Sequence, residues 1–117
     1  MIKGACHCGA VSFEAAQKPE RMVSCNCSIC RRYATLWVHS PPAEGVVLNA
    51  PEGSTHTYSW GDKGLLFHSC KTCGCITHWS GVKGNRFAVN FRLADPADIK
   101  DIRIRHFDGA DSWEFLD

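Results

Sequence analysis

Cys70-Lys71-Thr72-Cys73-Gly74-Cys75 is the stretch of this sequence that most restricts how the chain can fold. Its Cys-x-x-Cys-Gly order wraps a tight turn around one ion, because glycine tolerates the positive φ at which the chain turns back. A second pair of thiols stands near the amino terminus, in Cys6-His7-Cys8-Gly9. In an extended Cys-x-Cys segment both sulfurs lie on the same side, since side chains alternate. Together the two pairs predict one four-thiolate site that joins distant parts of the chain.

Zinc is the ion that such a site suits best. It prefers four ligands in a tetrahedron, with thiolate sulfurs about 2.3 Å from the metal. A closed site of this kind is structural and contributes folding free energy to a small domain. Thiolate ligands also suit iron, so the residue types leave the choice of metal open. The predicted structural ligands are Cys6, Cys8, Cys70 and Cys73.

A third group of thiols, Cys25-Asn26-Cys27-Ser28-Ile29-Cys30, places three cysteines within six residues. Three protein ligands on one ion leave a fourth position for water or substrate, which is typical of catalytic zinc. Closure of the site by His39, His68 or Cys75 is the alternative, and redox-active thiols are another. The open form is favoured, so Cys25, Cys27 and Cys30 are predicted to be catalytic metal ligands.

Length, charge and cysteine content narrow the class of protein. The 117 residues predict one zinc-binding domain over residues 1–117. With 13 Lys+Arg against 12 Asp+Glu, the chain carries a formal charge of +1, which argues against a nucleic-acid or membrane surface. The amino-terminal residues lack the apolar run of a signal peptide, so we expect a cytoplasmic protein. Eight cysteines among reduced thiols then indicate metal or redox chemistry rather than disulfides.

Short runs of β-branched and aromatic residues alternate with turn residues along most of the chain. This pattern predicts a mainly β fold of packed antiparallel sheets. One helical turn is expected at residues 96–99 with Asp95 as N-cap, and another within residues 28–34. Strands are predicted at residues 11–14, 46–48, 55–60, 65–68, 76–79, 87–91 and 102–105.

Four segments of the chain resemble the glutathione-dependent formaldehyde-activating enzyme family, which also contains centromere protein V-like chains. They are residues 4–13, 25–31, 67–74 and 88–93, and the resemblance covers nearly the whole chain. It implies an Mss4-like fold of packed β-sheets. It also implies structural zinc on Cys6, Cys8, Cys70 and Cys73, and catalytic zinc on Cys25, Cys27 and Cys30.

The resemblance further implies a reaction. The family's enzymes join glutathione and formaldehyde to give S-hydroxymethylglutathione, formally a carbon–sulfur lyase reaction in reverse. The expected partners are therefore a small thiol and an aldehyde. His39, His68 and His78 are the candidates for the proton donor, since histidine titrates near neutrality. Arg31 could pair with a glutathione carboxylate, although neutralising the thiolate cluster is the favoured role.

Two other classes of function stay open at this point. The chain could be a non-enzymatic Mss4-like zinc-binding module that binds a protein partner, because a fold does not set a function. It could also use an open zinc for a different thiol or aldehyde. The ligands of the second metal and its response to thiols separate these alternatives.

Overall fold

The structure is a computed structural model that describes residues 1–39 and 45–117. Short strands dominate it and the helices are few, which confirms the prediction of a mainly β fold. The strands are β1 (Ile2–Ala5), β2 (Ser12–Ala15), β3 (Arg21–Cys25), β4 (Trp37–His39), β5 (Val46–Asn49), β6 (Thr55–Tyr58), β7 (Leu65–Cys70), β8 (Ile76–Gly81), β9 (Phe87–Asn90) and β10 (Arg103–Phe107). The helices are α1 (Cys30–Tyr33), α2 (Pro96–Ile99) and a 3-10 helix (Phe91–Leu93).

The strands form two sheets. The small sheet has the order β1-β2-β5, and the large sheet has the order β10-β3-β4-β9-β8-β7-β6. Among the described residues the strand pairs are antiparallel, as predicted, apart from one parallel pair between β3 and β10. In that pair Cys25 lies opposite Phe107, so the end of the chain is brought beside the three-cysteine segment.

The main core lies between the two sheets. Val38 and Val89 of the large sheet pack there with Phe13 of the small sheet, and all three are buried. The ring of Phe13 stacks on Phe91 with their centres 4.8 Å apart. Gly4 lies opposite Phe13, and a Cβ at Gly4 would stand 2.6 Å from Phe13 Cζ. This close approach explains why the strand carries glycine there.

The other side of the large sheet, which we call the cysteine face, has its own apolar cluster. Cys25 and Cys27 are half-buried against it, and Cys30 is buried within it. Aromatic residues dominate the cluster, so the three thiols pack against an apolar surface rather than lying in open solvent. Its buried members on the strands are Val23, Trp37, Phe67, Trp79 and Ala88.

Both predicted helical turns are present, as α1 and α2. In α2 the Asp95 carboxylate accepts a hydrogen bond from Ala97 N at 2.9 Å, which confirms the expected N-cap. The turn predicted within residues 28–34 is α1, and it ends at Ala34 in a left-handed conformation. None of the helices in the described ranges is long and apolar enough to cross a membrane.

Candidate metal centres

Four sulfur atoms meet where the first hairpin reaches the end of β7. The Sγ atoms of Cys6, Cys8, Cys70 and Cys73 all lie within 4.8 Å of one another, and we call them the four-cysteine cluster. Cys8 Sγ lies 3.7 Å from Cys6 Sγ and 3.5 Å from Cys70 Sγ. A tetrahedron with 2.3 Å zinc–sulfur bonds has edges of about 3.8 Å, so the spacing fits zinc.

Each half of this cluster is a turn that a metal ion can occupy. Gly9 has a φ of 85° and Gly74 a φ of 81°, values that glycine adopts without strain. The N–H of Gly9 donates to Cys6 O, and the N–H of Gly74 donates to Cys70 O, both at 2.9 Å. The turns therefore hold the thiols on one side without help from the ion.

Backbone amides favour the thiolate form that a metal requires. The N–H groups of Cys75 and Cys8 donate to the Cys73 sulfur and lower its pKa to about 5. The N–H groups of Cys73 and Thr72 lower the pKa of Cys70 in the same way. Hydrogen bonds to a charged group favour the charged form, so Cys70 and Cys73 are prepared to lose their protons to a cation.

The second group of sulfurs lies at the junction of β3 and α1. Cys25 ends the strand and Cys30 begins the helix, and their Sγ atoms lie within 4.8 Å of each other and of Cys27 Sγ. Cys30 N donates to Cys27 Sγ at 3.4 Å. Trp37 Nε1 donates to Cys30 Sγ, also at 3.4 Å, and ties this thiol to the cysteine face. We call these thiols the three-cysteine cluster.

Within the three-cysteine cluster the pKa values of Cys25 and Cys30 are shifted in opposite directions. The Cys30 thiol donates to Cys25 and lowers the pKa of Cys25 to about 6, with help from the N–H groups of Cys27 and Gly109. The same hydrogen bond, together with burial, raises the pKa of Cys30. One thiolate is thus available near neutral pH, and an incoming cation would displace the remaining protons.

The three-cysteine cluster has no fourth protein donor among residues 1–39 and 45–117. No histidine, carboxylate or further thiol there lies within 4.8 Å of all three sulfurs. Cys75 packs beside the four-cysteine cluster instead. His39 points to Trp79, with ring centres 5.7 Å apart. An ion on these thiols would keep one position for a ligand from solution.

The other two candidate proton donors, His68 and His78, do not face the three-cysteine cluster. His68 and His78 stack with their ring centres 4.0 Å apart. They alternate with Phe67 and Trp79 along β7 and β8, so they project from the side opposite the cysteine face. His68 exchanges hydrogen bonds with Thr55 Oγ1 at 3.0 Å and Ser80 Oγ at 2.9 Å. Burial lowers the pKa of both histidines, to about 3 for His78.

Comparison with known proteins agrees with this geometry. Residues 1–103 match the family described as glutathione-dependent formaldehyde-activating enzyme. The chain belongs to this family. A crystal structure of a Rhodobacter sphaeroides protein has a similar fold, with a TM-score of 0.67 and 25% identity. The likeness covers 87% of this chain and 98% of that one. The residues matched to the family include both cysteine clusters.

A turn after the family match completes the three-cysteine cluster. Asn26 Nδ2 donates to Asp108 Oδ1 at 2.9 Å, and Asn26 Oδ1 accepts from Ala110 N at 3.0 Å. Asn26 N donates to Phe107 O at 3.2 Å. These bonds press Gly109 so close that a Cβ there would stand 2.6 Å from Cys25 Sγ. Sequence reasoning missed this turn, although the Asp108-Gly109 pair is a turn signal.

Proposed function

We propose that this chain is a zinc-dependent carbon–sulfur lyase-type enzyme that joins glutathione, or a related thiol, to formaldehyde or a related aldehyde. In this proposal residues 1–117 form one zinc-binding domain that works in the cytoplasm. The four-cysteine cluster holds structural zinc, and the three-cysteine cluster holds catalytic zinc. The observation that carries the proposal is the three-thiol geometry, which has no fourth protein donor among the residues that the structure describes, in a member of the formaldehyde-activating family.

The chain's own groups have defined tasks in this reaction. Zinc on the three-cysteine cluster would favour the thiolate form of an incoming thiol near neutral pH. Trp37 and the N–H groups around Cys25 and Cys27 fix the positions of the three ligands. The aromatic wall of the cysteine face excludes water from one side of the thiol and brings the aldehyde close to it, which raises their effective concentration.

The reaction itself balances simply. The thiol loses its proton, and its sulfur forms a bond to the aldehyde carbon. The carbon–oxygen π bond breaks, and the oxygen takes up a proton to become the hydroxyl of the S-hydroxymethyl adduct. Among the three histidines considered as donors, His39 shares the cysteine face, whereas His68 and His78 project from the other side. We therefore favour His39, or water, as the proton source.

Metal content is the direct test of this proposal. Zinc per chain would be measured by plasma emission spectrometry on the wild type, on Cys27→Ser and on Cys75→Ser as the matched control. We expect two zinc ions in the wild type and in Cys75→Ser, and one in Cys27→Ser. Adduct formation from glutathione and ¹³C-formaldehyde, followed by NMR, should be catalysed by the wild type and the control alone.

The outcomes separate the competing functions. Two zinc ions with no response to glutathione and no adduct would favour a zinc-binding module that binds a protein partner. Two zinc ions and catalysis with another thiol would move the proposal to that substrate. A single ion in the wild type would remove the catalytic metal from the proposal.

A further inference from the structure

One phenol lies beside the three-cysteine cluster. Tyr33 is the last residue of α1, and it follows the ligand Cys30 by three residues. Residues three apart on a helix are neighbours, with their Cβ atoms about 5–6 Å apart. Helical side chains also lean towards the amino-terminal end of their helix, so the Tyr33 ring leans back over the turn that carries Cys30. Tyr33 N donates to Ile29 O at 3.0 Å, which closes this turn.

Packing on the cysteine face holds the Tyr33 ring in place. Its centre lies 5.9 Å from the centre of the Phe67 ring, and Trp37 packs on the same phenylalanine at 6.3 Å. Trp37 in turn donates to Cys30 Sγ at 3.4 Å. Tyr33 and the three thiols therefore pack against one and the same apolar cluster. The ring is fixed by its neighbours, as a residue that acts on a substrate must be.

The Tyr33 hydroxyl is available to a substrate. The residue is partly exposed, and its hydroxyl makes no hydrogen bond within residues 1–39 and 45–117. Burial raises the pKa of Tyr33, and the nearby Tyr58 phenol and Cys30 thiol raise it further. The phenol therefore keeps its proton at neutral pH and acts as a hydrogen-bond donor.

The proposed reaction needs a donor at this place. The three sulfurs lie within 4.8 Å of one another, so a thiol bound among them has its sulfur close to Cys30. When this sulfur attacks an aldehyde carbon, negative charge develops on the oxygen of that carbon, two bonds away from the sulfur. A positioned donor that meets such developing charge stabilises the transition state more than the ground state.

We propose that the Tyr33 hydroxyl donates a hydrogen bond to the aldehyde oxygen and stabilises the negative charge that develops there. This inference rests on the proposed function and deepens it, because it assigns a catalytic residue to the aldehyde. The sulfur–carbon bond forms, the carbon–oxygen π bond breaks, and its electron pair moves to the oxygen that Tyr33 contacts. Tyr33 keeps its own proton, and the proton that completes the hydroxyl group comes from His39 or water.

The variant Tyr33→Phe tests the inference, because phenylalanine keeps the ring and removes only the hydroxyl. Tyr58→Phe is the matched control, since Tyr58 is the other tyrosine of the chain. It lies opposite Phe67 on β6, on the same face of the sheet, and is more than half exposed. NMR with glutathione and ¹³C-formaldehyde gives kcat and KM. Plasma emission spectrometry gives the zinc content, and calorimetric titration with glutathione gives the thiol affinity with no aldehyde present.

We expect Tyr33→Phe to lower kcat by about tenfold or more. Loss of one such donor costs about 10²–10³-fold where water is excluded, and Tyr33 is partly exposed. Its zinc content and its affinity for glutathione should stay within twofold of the wild type, because the hydroxyl acts on the aldehyde alone. Tyr58→Phe should match the wild type in all three measurements.

Three results overturn the inference. If the wild type forms the adduct and Tyr33→Phe has an unchanged kcat, or Tyr58→Phe loses as much, the role of Tyr33 fails and the proposed function stands. If Tyr33→Phe loses zinc or glutathione affinity, Tyr33 supports the metal ligands and not the reaction. If the wild type itself forms no adduct, the proposed function and the role of Tyr33 fail together.

Discussion

Replacing Gly109 with alanine places a methyl group against the sulfur of Cys25. The new Cβ would stand 2.6 Å from Cys25 Sγ and 3.3 Å from Cys27 Cβ. Ordinary contact begins near 3.4 Å, so the Cys25 sulfur must move by about 0.8 Å. Metal ligands tolerate about 0.2 Å. The φ of Gly109 lies outside the left-handed region, so alanine can adopt this backbone conformation. Backbone strain would therefore not contribute to the loss of metal affinity.

The size of the effect follows from this displacement. Forcing a methyl group into a packed site costs about 1–3 kcal/mol. Without the ion the Cys25 sulfur can move aside, whereas the ion fixes its position, so this cost corresponds to metal binding weakened by up to roughly 150-fold at the three-cysteine cluster. Binding at the four-cysteine cluster should not change, because Gly109 contacts none of its members.

Competition between the zinc-loaded protein and a chelator measures the zinc affinity of both sites. Cobalt substitution then assigns each affinity to one of the two clusters from its cobalt–thiolate absorption. Gly64→Ala is the matched control, since its Cβ would meet only the Asp62 side chain, at 3.2 Å. Wild-type metal affinity at the three-cysteine cluster of Gly109→Ala would refute the idea that the turn after β10 forms part of the metal centre.

Three further predictions concern other parts of the fold. Asn26→Ala should weaken metal binding at the three-cysteine cluster about tenfold or more, because the Asn26 amide holds the turn that lies against the Cys25 sulfur. In the same chelator assay His7→Ala, in the middle of the other Cys-x-Cys pair, should leave metal binding unchanged. Gly4→Ala should lower the free energy of unfolding by about 1–3 kcal/mol in urea, because its Cβ meets the Phe13 ring; an unchanged midpoint would contradict this contact. Burial holds the pKa of His78 near 3 against 6.5 in the unfolded chain, so the unfolded state binds more protons and stability falls as pH drops from 6.5 towards 3. His78→Gln should reduce that slope by up to about 1.4 kcal/mol per pH unit, measured by urea unfolding between pH 5 and 7.

The strands that are short runs of β-branched, aromatic or other apolar residues between turn residues could be predicted from the sequence. The runs at residues 46–48, 65–68, 76–79 and 87–91 all fall within or largely within strands β5, β7, β8 and β9. Each is rich in β-branched, aromatic or other apolar residues, and this composition is a local signal. The Cys-x-x-Cys spacing was equally informative, because the turn geometry that gathers the thiols is also local.

Strands β1, β3 and β4 could not be predicted in this way. Lys3 and Gly4 interrupt the apolar pattern of β1, and β4 is only three residues long. The pairing of β3 with β10 depends on residues about 80 positions apart, as in Cys25 opposite Phe107. No local pattern encodes a partner at that distance, so neither the parallel pair nor the turn beside Asn26 was foreseen.

The position of β10 at the edge of the large sheet affects how the protein is made. During synthesis the amino-terminal part leaves the ribosome first, and both cysteine clusters except Cys70 and Cys73 emerge early. The strand that pairs with β3, and the Gly109 turn that follows it, emerge about 80 residues after Cys25. Until then the nascent chain exposes Cys25 without the turn that lies against its sulfur, and the thiol is open to the wrong ion or to oxidation. Synthesis of the Gly109 turn, rather than appearance of the cysteines, is the moment at which that thiol gains its protection.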